Sequence, residues 1–191
     1  MDKQISRQQR KKNRTHLSIM HSAKKLFEEK GMGNVTIEEI TEAADVSRST
    51  FFAHFSTLDA LSAEICGVAI EDILNAHAKS GKTGIEGIIA LFNKLIDDTC
   101  PYPYLTAELL MNGIIKSRGE SPFLGFQELI VNELSKGGNK YDYTPDELAS
   151  FITGAYFGTV FNKLINKQPF NPDEIKKSMK KYILNITGGK L

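Results

Sequence analysis

Apolar residues along this chain recur three and four positions apart, and no stretch alternates apolar and polar residues as a half-buried strand would. Ile37, Ile40 and Ala44 share one side of a short helix, and Ile175, Met179, Tyr182, Ile183 and Ile186 do so near the end. Local signals cut this pattern into pieces. Thr36 with Glu39 and Thr83 with Glu86 predict capping boxes, in which a hydroxyl and a carboxylate satisfy first-turn amides. "TPDE" from Thr144 and "NPDE" from Asn171 add Pro at the first helical position and acids at the positive helix end. Stops fall at Gly31 and Gly33, at Gly81 and Gly84, at "CPYP" from Cys100, at "RGESP" from Arg118 and at "GGNKYDYTP" from Gly137. The expectation is an all-α chain of about nine helices, near 8–30, 36–44, 47–54, 57–80, 84–98, 102–118, 121–136, 145–167 and 171–187. Elements are short to about residue 55 and longer beyond, which predicts domains at 1–56 and 57–191.

Charge adds direction. The net charge is +1, yet residues 1–14 hold Lys3, Arg7, Arg10, Lys11, Lys12 and Arg14 against Asp2, a basic arm suited to a phosphate backbone. Apolar runs fall short of the roughly 20 residues a membrane helix needs, so no membrane partner and a cytoplasmic location are expected. Cys66 and Cys100 lack metal spacing and read as buried structural thiols, with no metal or cofactor expected. "AHAKSGKT", residues 76–83, nearly matches a phosphate-binding loop, but Ala76 replaces the first glycine and a helical pattern precedes it. His16, His21, His54 and His77 suggest no ligand cluster, and no nucleophile elbow is present, so an enzyme is not expected.

The segment "DVSRSTFFAHF", Asp45 to Phe55, carries the functional signal. Two short helices joined by three residues make a helix-turn-helix, whose second helix enters the major groove. Asp45 suits the left-handed turn position and Val46 would plug the core beneath. With Ser47 as N-cap, Phe51 and Phe55 fall on one face, toward Ile37, Ile40, Leu26 and Phe27. Arg48, Ser49, Thr50, Phe52 and His54 are left outside.

Together with the preceding "IMHSAKKLFEEKG", the stretch "GMGNVTIEEITEAADVSRSTFFAHFSTLDAL" resembles the DNA-binding domain of the tetracycline-repressor (TetR) family of bacterial regulators. The ordered matches run from Ala23 and Phe27 through Gly31, Thr36, Ile37, Ile40, Ala44, Val46, Ser47, Thr50, Phe51, His54 and Phe55 to Leu61. Three positions depart from the family's habit: Asp45 replaces a Gly, Phe52 a Tyr whose hydroxyl contacts phosphate, and Leu58 a Lys. The resemblance implies three N-terminal helices for DNA, a fourth leading to a helical effector domain, and a dimer made by the last two long helices. Arg48 and Thr50 would then read or approach bases, Ser47 and Ser49 would take backbone or water-bridged contacts, and Thr36 and His54 would take phosphates. Phe52 would touch sugar or a thymine methyl, and Arg10, Lys11 and Arg14, on an extension of the first helix capped by Ser6, would add phosphate or groove contacts.

For the second half, candidate effector contacts are Phe92, Tyr102, Tyr104, Met111, Asn112, Ile115, Phe123, Phe126 and Tyr156, which would suit an apolar or aromatic small molecule. Candidate dimer contacts are Phe151, Ala155, Gly158, Phe161, Ile175, Met179, Tyr182 and Ile183. The expected function is a homodimeric transcriptional repressor on a palindromic double-stranded operator, released by its effector. The alternative is a helical protein-binding adaptor without specific DNA binding.

Overall fold

In the computed structural model, residues 6–116, 123–136 and 142–188 are described, with the side chains of 113–116 excluded. Lys3 and the "RGESP" stop therefore lie outside the described residues, and Ile115 outside the described side chains. All regular structure among the described residues is helical: α1 Arg7–Lys30, α2 Ile37–Ala43, α3 Arg48–Phe52, α4 Leu58–Ser80, α5 Gly84–Thr99, α6 Pro103–Lys116, α7 Phe123–Ser135, α8 Pro145–Ile165 and α9 Pro172–Ile186. A single 3-10 turn, Met32–Asn34, follows α1 and was not predicted. It forms where Gly31 takes φ 79°, the Asn34 backbone N–H donates to the Gly31 carbonyl at 3.1 Å and the Asn34 side-chain Nδ2 donates to the Lys30 carbonyl at 2.8 Å.

The chain forms two compact units, Met1–Ile65 and Cys66–Leu191. In the first, α1 starts where Ser6 Oγ accepts from the Gln9 N–H at 3.1 Å, so the basic arm from Arg7 onward is helix. The Thr36 capping box forms as predicted: Thr36 Oγ1 accepts from the Glu39 N–H at 3.2 Å, and the Glu39 carboxylate accepts from the Thr36 N–H at 2.8 Å. Lys30 donates to the same carboxylate at 2.6 Å, and these donors, Lys30 foremost, hold its pKa at about 2. Ile19, Ala23, Phe27, Ile40, Phe51, Phe55 and Leu61 are buried and form the core. Val46 is only half-buried, and Thr41 takes the interior place under the turn, its carbonyl accepting from the Val46 N–H at 3.0 Å.

In the second unit, α5, α7, α8 and α9 enclose a core that includes Ile88, Phe92, Ile96, Ile130, Leu148, Ile152, Tyr156, Met179 and Ile183. Capping at Thr144 and Asn171 follows prediction. Thr83 does not cap α5 with its side chain. Instead the Gly84 N–H donates to Glu133 Oε2 at 2.6 Å, a carboxylate arriving from α7. Glu133 is 2% exposed and also accepts from Lys136 at 2.6 Å and meets His77 Nε2 at 3.3 Å. Gly87 packs against that histidine, and a Cβ there would stand 3.0 Å from His77 Cε1 and from the Lys82 carbonyl oxygen. The segment resembling a phosphate-binding loop is thus the end of α4 and a turn, with no strand before it.

Candidate nucleic-acid interface

A five-residue helix is far below the length that is stable alone, so α3 exists because its surroundings hold it. Ser47 Oγ accepts from the Thr50 N–H at 3.1 Å and lies 2.8 Å from both the Ser49 and Thr50 hydroxyls. Phe51, with no exposed surface, packs its ring against Phe55 at 5.9 Å and Phe52 at 5.6 Å. Asp45 takes φ 54°, the left-handed conformation anticipated from its place in the turn. Asp45→Val should therefore destabilise the chain by about 1–2 kcal/mol, while Asp45→Gly should stay within about 0.5 kcal/mol. Thermal melting of the two variants beside the parent checks this, and equal melting points would remove the assigned strain.

What α3 does not bury it presents. Ser47, Arg48, Ser49 and Phe52 are exposed, as is Thr36 at the start of α2, while Thr50 and His54 are half-buried. The Arg48 guanidinium pairs with Glu38 of α2 and lies 5.4 Å over the Phe52 ring. Phe52, lacking a hydroxyl, is thus a platform for the arginine. Arg10, Lys11 and Arg14 project from the first turns of α1, all exposed.

Sequence reasoning missed a cluster behind α3. His16 of α1 meets His54, Nδ1 to Nδ1, at 3.2 Å, meets Glu64 of α4 through Nε2 at 2.5 Å, and stacks on Phe55 at 4.5 Å between centroids. Burial, then the charges of His16 and Lys12, lower the His54 pKa, with Glu64 acting the other way. Only pairing between positions 38 and 48 residues apart reveals this cluster, which no local spacing encodes. Among the described residues no group of three or more His, Cys, Asp or Glu could hold a metal.

The predicted effector contacts are distributed differently. Phe92, Phe126 and Tyr156 are buried, with Phe92 edge-on to Phe126 at 5.6 Å and to Tyr156 at 5.9 Å. Phe92 and Phe126 fill the core and do not line the described cleft. Tyr102, Asn112 and Phe123 are half-buried, and Tyr104 and Met111 are exposed. A narrow cleft, with room for little more than a water molecule, lies among Thr99, Cys100, Pro103, Thr106, Tyr156, Val160, Phe170 and Ile175. Tyr156 is its one residue from the predicted set. The Thr99 hydroxyl donates to the Leu95 carbonyl at 2.7 Å and so accepts the Tyr156 hydroxyl at 2.6 Å. Desolvation raises the thiol pKa of Cys66 to about 11, and burial raises that of Cys100, which suits unreactive thiols.

The dimer candidates divide by element. On α8, Phe151, Gly154, Gly158 and Ile165 are exposed, and Ala155 and Phe161 half-buried. On α9, Ile175, Met179 and Ile183 are buried inside their own unit, against the expectation that they face a partner. Their three- and four-residue spacing is spent on the core, leaving Tyr182 exposed with the lysines.

Residues 19–65 match the model of the tetR family of bacterial regulatory proteins. The HTH-type transcriptional repressor DhaR of Mycobacterium sp. (strain GP1) is 21% identical over 168 residues, 80% of this chain and 85% of that one. Among solved structures, the transcriptional regulator FadR from Bacillus subtilis, in complex with stearoyl-CoA, matches 92% of this chain and 99% of its own with a TM-score of 0.74 at 15% identity. The fatty acid degradation regulator FadR from Bacillus halodurans matches 88% and 94%, with a TM-score of 0.73 at 16% identity. No helix among the described residues is long and apolar enough to cross a membrane. With the family model matched across the helix-turn-helix and the fold of solved regulators followed along most of the chain, residues 19–65 form a DNA-binding domain of the tetR family type on a chain with the all-α fold of those regulators.

Proposed function

We propose that the chain is a repressor that holds a palindromic operator as a homodimer and leaves it when a small apolar molecule enters its second unit. The observation that carries the DNA part is the exposed row of Ser47, Arg48 and Ser49 on a helix fixed from beneath by Phe51. Arg48 reads a base edge, its free-state pairing with Glu38 exchanged for the base, and Thr36 and His54 take phosphates. Arg10, Lys11 and Arg14 supply sequence-independent attraction.

For dimerisation, the exposed Phe151, Gly154, Gly158 and Ile165 of α8 support a close helix contact, since no atom lies within 4 Å of a Cβ built at either glycine. Tyr182 contributes from α9. For the effector, support comes from the apolar interior of the second unit and from the stearoyl-CoA bound by one solved relative. A long-chain acyl thioester is therefore the first ligand to try. Because the described cleft is narrow, a ligand of that size would select a more open state, and it releases DNA only by favouring that state over the DNA-bound one.

Selection of duplexes from a random pool by the purified chain tests the proposal. A palindrome should be enriched. Arg48→Ala should weaken it by about 1–3 kcal/mol and relax preference at one position per half-site. Replacing Arg10, Lys11 and Arg14 by glutamine should weaken all sequences alike and flatten the salt dependence. Absence of any enriched sequence at low salt would favour the adaptor.

A further inference from the structure

The contact between His16, His54 and Glu64 has a proton count that can be taken atom by atom. An ionised carboxylate only accepts, so the His16 Nε2 that meets Glu64 at 2.5 Å carries a proton. The two Nδ1 atoms meet at 3.2 Å, a contact that needs one proton between them and is repulsive with two. An uncharged pair of imidazoles owns two ring protons. Both are then committed, one to Glu64 and one to the bridge, so His54 Nε2 is left with a bare lone pair. A bare lone pair repels a phosphate oxygen, whereas an N–H binds it. Adding one proton to the pair places an N–H on His54 Nε2, whichever ring carries the charge. A second added proton would have to enter the bridge and is opposed.

We infer that His16 and Glu64 are positioning residues that turn the phosphate contact of His54 into a proton-uptake step, so operator affinity falls as pH rises. This rests on the DNA-binding reading above and specifies one contact within it. The charged groups facing His54 are His16 and Lys12 from α1 and Glu64 from α4. Burial of the pair and the charge of Lys12 disfavour the extra proton in free protein, and an arriving phosphate favours it. Binding and protonation are thereby linked in the direction stated. Glu64 acts through His16, since it is the carboxylate that forces His16 into the Nε2–H tautomer.

The test measures affinity of the full chain for its selected duplex at fixed low salt between pH 6 and pH 8. The parent should lose about tenfold in affinity per half-site over this range, the value of one charge-assisted contact. His16→Leu keeps an apolar side chain against Phe55 and frees His54 to carry its own proton on Nε2, so its profile should flatten. Glu64→Leu should flatten it partly. A flat parent profile, or a His16→Leu profile as steep as the parent's, overturns the inference. A merely structural His16 would lower affinity equally at every pH. In the free parent at pH 8, nitrogen-15 NMR of the imidazoles should find His54 as the Nδ1–H tautomer, and the Nε2–H tautomer would overturn the inference without reference to DNA. If the parent binds no duplex at any pH while that tautomer is found, the DNA-binding reading fails and the proton count stands.

Discussion

Phe51→Ala should cost the DNA-binding unit about 3–5 kcal/mol, enough to leave it unfolded where the parent is folded. The ring has no exposed surface and lies among the other buried side chains of this unit, so its removal opens a cavity that a helix of five residues cannot close. A unit of this size holds only a few kcal/mol in reserve. Amide hydrogen exchange on the full chain is the appropriate measurement, because it separates the two units. Protection should be lost across α1 to α3 and retained in α5, α7 and α8. Phe51→Leu should recover much of it. Retained protection in α1 to α3 of the alanine variant would mean that Phe51 is not what fixes the recognition helix.

Glu133→Ala should destabilise the second unit by about 2–4 kcal/mol, since it strands the buried His77 Nε2 and the Gly84 N–H without an acceptor. Lys136 is exposed and can turn to water. His77 Nδ1 already lacks a partner, so the ring has no other bond to fall back on. The acid also gives the parent a pH dependence. Burial acts to raise the Glu133 pKa, but donation from Lys136, Gly84 and His77 outweighs it and leaves the pKa below the ordinary 4.5. A carboxyl depressed on folding stabilises fully above its unfolded pKa and loses that contribution as pH falls through its folded value. The parent's melting temperature should therefore drop below about pH 4.5 more steeply than the variant's. Equal slopes for the two would place the acid sensitivity elsewhere, for instance at Glu39.

Caps were legible because they are local: Ser6, Thr36, Ser47, Thr144 and Asn171 each satisfy an amide two or three residues on. Thr83 had the same spelling and does not cap with its side chain; Glu133, 49 residues beyond Gly84, accepts the Gly84 N–H instead. The exposed face of α3 was legible because Phe51 and Phe55 claim the inner one. The inward face of α9 was misjudged for a different reason. Packing within a subunit and packing between subunits demand the same spacing, so Ile175, Met179 and Ile183 could not be assigned by period. Aromatic content alone likewise does not tell core from effector contact, since Phe92, Phe126 and Tyr156 pack on one another.

The first unit is complete within the first 65 residues, its longest-range contact described above being that of His16 with Glu64. The described contacts that fix α3, those of Ser47, Phe51 and Phe55, are all synthesised before any of α5 to α9. On a translating ribosome the DNA-reading surface can therefore finish folding while its regulatory half is still being made, and errors in the later helices need not spoil it.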